Sequence, residues 1–360
     1  MVIYILLYVA CLALVSTSHF FPAIRGALYW SAAFMVAIFF GLRYDVGTDY
    51  LGYAYIFNNI DLDIYRWRFE PGFTLFASAL QALSLEPWVG FLSFSIATIF
   101  LVWRGIGLWS DNPPLSIVVL FGLSFLFFFS NGVRQGLAVV VCVMALPYII
   151  DKDIRRFVGV VLIACMFHYT ALVFLVAYPV ATRRMSSTIA VAVLLGTAVL
   201  GLLGIDGTID ALISRTVGYL PSAISDRYSG IFGRIEDQLF DKRGIGAGFR
   251  LIFLNGTAIF AVLLQRKNSA FDSALVNISI LGQCVFNLFA GLSGPFRFWY
   301  YFGIFLIFLI PWIVSRIKGA GSRALVYAGF VSILSSFYLR ALMTNHHNII
   351  PYEFYFSYIS

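Results

Sequence analysis

Charge is what this chain has least of. Lys, Arg, Asp and Glu make up 11% of its 360 residues, whereas 61% are hydrophobic and 37 are Phe. So little polar surface cannot cover a water-soluble globule, which excludes the soluble enzyme and binding-domain classes. Cysteine is scarce too. Cys11, Cys142, Cys165 and Cys284 lie far apart inside apolar runs, without CxxC spacing, so they imply neither a disulfide framework nor a zinc site. No GxSxG, HExxH or P-loop occurs, and the one DxD-like pair, Asp61-Leu62-Asp63, reads as a solvated loop. The sequence therefore calls for no metal and no cofactor.

What is present is a succession of unbroken apolar runs of helical length: 1–16, 27–42, 71–85, 88–105, 115–129, 132–150, 157–181, 189–203, 247–265, 274–292, 296–315 and 324–343. Strand-period alternation with polar inward faces is absent, so an outer-membrane barrel is excluded. The first run lacks a basic leader and a small-residue cleavage site, which makes it a retained helix rather than a secretory signal. These features predict an all-α polytopic integral membrane protein with roughly 11–13 membrane segments. No repeat or linker divides the chain, so 1–360 reads as one transmembrane domain carrying two extramembrane stretches, 43–70 and 205–246. The formal net charge of +7 comes from Lys and Arg dispersed at the ends of apolar runs. Anionic membrane lipid and the positive-inside bias account for it, and no nucleic-acid partner is implied.

The basic loops 151–156 (DKDIRR), 182–184, 266–267 and 316–323 (RIKGAGSR) are placed in the cytoplasm. Both ends of 157–181 then lie on one side, which requires a break. Phe167-His168-Tyr169-Thr170 supplies it, leaving two halves of about a dozen residues, each ~18 Å long. The same parity puts 43–70, 131–134, 205–246, 291–297 and the stretch after 343 outside, and requires that 71–85 not fully cross. Helical spacing in 205–246 (Tyr219, Leu220, Ile224, Tyr228, Ile231, Phe232, Ile235, Leu239) and in 49–70 (Tyr50, Tyr53, Phe57, Ile60) predicts amphipathic shelves over the helices. His346-His347 are adjacent rather than four apart and read as part of a solvated tail.

Scarce charge directs attention to where it clusters. RYDVGTDY at 43–50 contributes Arg43, Asp45, Asp49 and Tyr50; further along come Glu70, Arg134-Gln135, His168, Arg297 and Glu353. Most have a plainer alternative. Arg43 and Arg297 could be interfacial anchors, Asp49 or Thr48 a helix cap, Glu70 a first-turn acid, and His168 a hydrogen-bonded core histidine. The GxxxG at Gly132 and Gly136 could be a packing patch, but it would leave Asn131, Arg134 and Gln135 in or beside lipid. Taken together, cations and carboxylates at one membrane face suit an enzyme acting on a lipid-linked diphosphate. Arg forks pair with phosphate oxygens and stabilise a diphosphate leaving group. A carboxylate or imidazole takes the proton from an attacking hydroxyl.

RYDVGTDYLGY, NGVRQGLA, FHYTALVF and PFRFWYY, in this order, resemble the EpsG family of polysaccharide-synthesis membrane proteins, grouped with Wzy-type O-antigen polymerases. The likeness runs from about Arg43 to Tyr301, with an echo in Pro351-Tyr352-Glu353-Phe354. It implies a GT-C-like fold in the bacterial inner membrane and a site facing the periplasm. It further implies glycosyl transfer from undecaprenyl diphosphate to a lipid-linked repeat unit, with a chain-length-regulating co-polymerase as a possible partner. The family's motif positions fall on Arg43, Gly47, Thr48, Asp49, Tyr50, Arg134, Gln135, Phe167 and His168; Thr170-Ala171 stands where many relatives have Ser-Ala. On that resemblance the expected mechanism is metal-independent and inverting. Arg43, Arg134 and Arg297 hold the diphosphate, with Gln135, Asp45, Tyr50 and Glu70 binding substrate, and Asp49 or His168 activates the acceptor. The alternatives are an O-antigen ligase or acyltransferase on the same carrier, or a flippase for lipid-linked oligosaccharides.

Overall fold

A computed structural model of the protein describes residues 1–62, 65, 68–183, 185–205, 207–208, 211–212, 245–265 and 269–359. The expected shelf at Tyr219 to Leu239, Asp63, and the basic residues Arg184, Arg266 and Lys267 lie outside the described residues. The described chain is all α-helical apart from 3-10 turns and one isolated antiparallel bridge, Arg43 to Phe354. It folds as two compact units. One comprises Met1–Tyr148, Asp153–Leu175 and Leu306–Ser360, the other Ile149–Lys152 and Val176–Phe305.

In the first unit, α1 (Val2–Thr17) and α2 (Arg25–Gly41) lead to a short α3 (Tyr50–Asn58). Then follow α4 (Pro71–Ala82), α5 (Pro87–Trp109), α6 (Pro113–Gly122), α7 (Phe125–Asn131), α8 (Val133–Val143) and α9 (Ile154–Cys165). Pro opens α4, α5 and α6, where its missing N–H costs no bond. α2 and α5 run antiparallel: Tyr29 donates to the Trp103 carbonyl at 2.7 Å, and Ser95 donates to the Ala37 carbonyl at 2.8 Å. α1 is likewise antiparallel to the helix Ala320–Met343, with Tyr338 donating to the Tyr4 carbonyl at 2.9 Å and Tyr8 bonding Ser335 at 2.9 Å.

Among the described residues five helices are long and apolar enough to cross a membrane, or seven if each of two bent pairs is one span. Four more apolar helices are shorter. The apolar runs are thus more broken than hydropathy suggests, because the residues at the breaks are themselves buried and mostly apolar. The run 115–129 shows why: Ser124 takes a left-handed conformation (φ 60°) and α6 and α7 meet at 59°. At 12 residues α4 is ~18 Å long, short of a ~30 Å hydrocarbon core. Likewise α9 stops at Cys165 and a 3-10 helix begins at Tyr169, so the break falls at His168, where the parity argument puts it.

The second unit is held by amides. Asn287 on the helix Ala270–Phe289 accepts from Asn255 at 2.9 Å and Gln283 at 2.8 Å, and donates to Asn255 and to Thr197, both at 3.0 Å. Helix association in lipid has little hydrophobic drive, so such bonds weigh more than their number suggests. Asn287→Ala, which strands the Asn255 and Gln283 amides, is expected to cost about 1–2 kcal/mol, read as a lower melting temperature of the detergent-solubilised chain.

Candidate functional site

The charges cluster where three separate parts of the first unit meet: the N-terminus of α4, the N-terminus of α8 and the break after α9. Glu70 is the N-cap residue of α4, but its side chain caps nothing there. Its carboxylate turns away and is claimed on both oxygens. Arg134 Nη1 pairs with Oε2. His168 Nδ1 lies 3.0 Å from Oε1, and the Tyr169 backbone N–H donates to the same oxygen at 3.3 Å. An ionised carboxylate only accepts, so His168 donates from Nδ1, and in the neutral imidazole the lone pair is on Nε2.

Backbone geometry brings these groups together. The N–H groups of Gly72 and Phe73 donate to the Met166 carbonyl at 2.8 and 3.2 Å, docking the first turn of α4 on the chain just before His168. A Cβ at position 72 would lie 2.8 Å from that carbonyl oxygen, so only Gly allows the approach. Arg134 sits in the first turn of α8, with its guanidinium among the rings of Phe69, Phe73 and Tyr53 at 4.8, 5.1 and 5.7 Å. Its Nε donates to the Tyr53 hydroxyl at 3.3 Å. Ring faces attract the cation and keep water away from the Glu70 pair.

Accessibility separates the roles. The Glu70 side chain is 3% exposed, against 17% for Arg134 and 20% for His168. Arg134 and His168 are therefore the accessible members of the trio, while Glu70 holds both from behind. Burial by itself would raise the Glu70 pKa, but the His168 hydrogen bond and the Arg134 charge outweigh it and hold the carboxyl at about 2.

Arg43 sits apart from that trio and is spent differently. It is 2% exposed, with Nε donating to the Val46 carbonyl at 3.1 Å, Nη1 to that of Phe40 and Nη2 to that of Ser130. Phe91 and Tyr50 flank it at 4.9 and 5.6 Å. The cavity beside it is about 10 Å³, room for about one water and far from a diphosphate. Arg43 thus ties the end of α2, the loop after it and the last turn of α7 together. Gly47 (φ 101°) lets that loop pass, since a Cβ there would strike Asn131 Oδ1 at 2.2 Å.

The remaining candidates fall around these two centres. Asp49 occupies the N-cap position of α3 without a side-chain cap bond and lies within electrostatic reach of Arg43. Tyr50 stacks on Phe91 at 4.3 Å, Gln135 is buried beside Arg134, and Asp45 is exposed. Arg297 is exposed at the end of the helix Ser293–Phe296, in the second unit. Tyr50, Tyr53, Phe57 and Ile60, one side of the predicted shelf, are all buried. Among the described residues no three His, Cys, Asp or Glu gather as a metal site would need.

Two parts of this region do not stand out in the sequence. The Phe69 and Phe73 walls are lost among 37 Phe, although flanking an isolated Glu is a signal. The stretch after Met343 is not a solvated tail. Gly47 N–H donates to the Asn348 carbonyl at 3.0 Å, Tyr44 N–H to that of Glu353 and Tyr355 N–H to that of Leu42, both at 2.9 Å, so it is strapped along the Arg43 loop.

Comparison with known families decides what this arrangement belongs to: the sequence profile of the EpsG family matches residues 26–354. The chain belongs to the EpsG family. No curated protein and no solved structure matches it. Membership, with the apolar helices, makes this EpsG-family chain a membrane-embedded protein and points to a polysaccharide-polymerase-like, glycosyltransferase-like function.

Two outcomes follow from the geometry. The Glu70 pKa lies below its unfolded value of ~4.3, so the stability its ion pairs add is complete above about pH 4 and lost as pH falls through about 2. The melting temperature of the wild type should therefore fall between pH 4 and pH 2 more steeply than that of Glu70→Gln. Arg43→Lys keeps the charge but cannot reach three carbonyls, and each carbonyl left bare costs about 1–3 kcal/mol. Its melting temperature should drop; an unchanged value with weakened binding of a lipid diphosphate would make Arg43 a ligand instead.

Proposed function

We propose that this chain is a polysaccharide polymerase that transfers a growing glycan from undecaprenyl diphosphate to a lipid-linked repeat unit, at the periplasmic face of a bacterial inner membrane. The observation that carries this reading is the contact of Arg134 and His168 with one buried carboxylate, in a member of the EpsG family.

Glycosyl transfer from a diphosphate needs two things: a proton removed from the acceptor hydroxyl, and negative charge stabilised on the departing diphosphate. His168 suits the first. With Nδ1–H held by Glu70, the Nε2 lone pair accepts the hydroxyl proton as the oxygen attacks the anomeric carbon, and Glu70 stabilises the imidazolium that results. Arg134 suits the second, because its guanidinium has N–H groups beyond those given to Glu70 and Tyr53 and sits among rings that strengthen its field. Attack opposite the leaving diphosphate inverts the anomeric centre. Glu70 and Arg43 act as positioning residues, and Asp49 stays the alternative to His168 for acceptor activation, as expected from the sequence.

The full chain reconstituted in liposomes with its lipid-linked repeat unit should yield a ladder of polymer. Removing the base or the charge at the leaving group typically costs 10²–10⁴-fold, so His168→Gln and Arg134→Ala should lower the rate by about that factor. Rates are compared at equal amounts of folded protein, because Arg134→Ala leaves Glu70 with one partner fewer. A ladder of wild-type length from Arg134→Ala would reduce that residue to packing. Complete polymer that stays unattached to its final acceptor in a deletion strain would instead mark a ligase.

A further inference from the structure

The chemistry above leaves unused a patch of aromatic rings on the same unit. Pairing of the strap with the Arg43 loop sets the Tyr355 ring 5.9 Å from Tyr44 and also 5.9 Å from Trp88, at the start of α5. Phe356 stands 5.6 Å from Trp88. Phe356 is 47% exposed and Tyr44, Trp88 and Tyr355 are half-buried, so these rings do not close into a core. The patch leads toward the proposed site. Tyr44 lies 5.8 Å from Tyr50, and Tyr53, one turn further along α3, holds Arg134.

Arg43, next to Tyr44, is buried, and the exposed charge in the segments that carry the rings is of one sign. Asp45 follows Tyr44, Glu86 lies two residues before Trp88, and Glu353 lies two before Tyr355; all three are exposed. Burial first, and the Glu86 carboxylate after it, push the Tyr355 phenol up, which puts Glu86 within reach of that ring. The segments 44–49, 84–90 and 351–358 contain no Lys or Arg. An aromatic belt that anchors a helix in anionic lipid is normally accompanied by Lys and Arg, and three carboxylates repel both a lipid phosphate and a carrier diphosphate.

A neutral polyhydroxylated ring suits both features. Its C–H face lies on an aromatic face, whose partial negative charge it complements. Its hydroxyls donate to carboxylates, which can only accept, and such O–H to carboxylate bonds are among the stronger ones. We propose that Tyr44, Trp88, Tyr355 and Phe356, with Asp45 and Glu86, form a docking platform for the sugar rings of the glycan, apart from the groups that handle the diphosphate. The platform rests on the polysaccharide reading given above and adds to it a separate subsite for neutral sugar.

The test titrates the purified full chain in detergent with two probes. One is neutral oligosaccharide released by mild acid from the surface polysaccharide of the source cells; the other is farnesyl diphosphate, which carries the phosphates and no sugar. Losing two ring faces should weaken oligosaccharide binding to Trp88→Ala/Phe356→Ala about tenfold or more, with farnesyl diphosphate binding unchanged, whereas Arg134→Ala should show the opposite pattern. Undiminished oligosaccharide binding by the double variant overturns the platform. Loss of both probes together with a lowered melting temperature also overturns it and makes the rings packing. A wild type that builds polymer yet binds no free oligosaccharide sinks the platform and leaves the polymerase standing; a wild type that builds no ladder sinks the polymerase reading itself.

Discussion

A carboxylate almost sealed from water cannot keep its charge unless something offsets the lost hydration, and the candidate site is organised around meeting that demand for Glu70. Each of its oxygens has a cationic or polar partner, and the partners come from stretches of chain far apart in sequence. The constraint works in both directions. Glu70 stays ionised because Arg134 and His168 are there, and those two are held in register because an unpaired buried carboxylate would cost several kcal/mol. A site that must assemble charge inside a mostly apolar protein thereby makes its own alignment part of the folding problem.

Short, broken helices are what allow the assembly. A continuous helix through 125–143 would bury the Ser130 carbonyl in its own ladder. Interrupted at Gly132, it leaves that carbonyl to Arg43 and starts a new helix whose first turn carries Arg134. α4 is likewise too short to span, so Glu70 stands at a helix start beside the break after α9. Carbonyls freed from a helix ladder need partners wherever they are buried, and here those of 40, 46 and 130 are satisfied by one guanidinium. The two arginines thus divide the work: one neutralises carbonyl dipoles in the interior, and the other pairs with Glu70 and keeps an accessible face.

The residues of the cluster were legible in the sequence because charge is so rare that every Arg, Glu and His in an apolar run asks for a reason. The helical class, the break at His168 and the inward side of α3 followed from hydropathy, parity and spacing. What composition could not convey was who pairs with whom. Arg43 and Arg134 look alike as helix-end cations, yet one faces three carbonyls and the other a carboxylate and three rings. Glu70 looked like a helix-dipole acid or a ligand, and its place behind both accessible groups depends on a long-range contact through Met166 that no local pattern encodes. Helix breaks inside apolar runs were hidden for a similar reason, since Ser124 is buried and its left-handed conformation is set by tertiary packing.

The strap that runs beside the Arg43 loop joins stretches separated by most of the chain. A ribosome feeding this protein into the bilayer delivers α1 to α3 long before residues 345–355 exist, so the loop at 43–47 must wait for its hydrogen-bonding partners until those residues emerge. Until then the tyrosines flanking that loop lack the neighbours that align them. Nascent chains stalled midway would hold Arg43 in a loop whose bonds to the strap are still unmade, while the partners of Glu70 at 134, 168 and 169 have already been delivered.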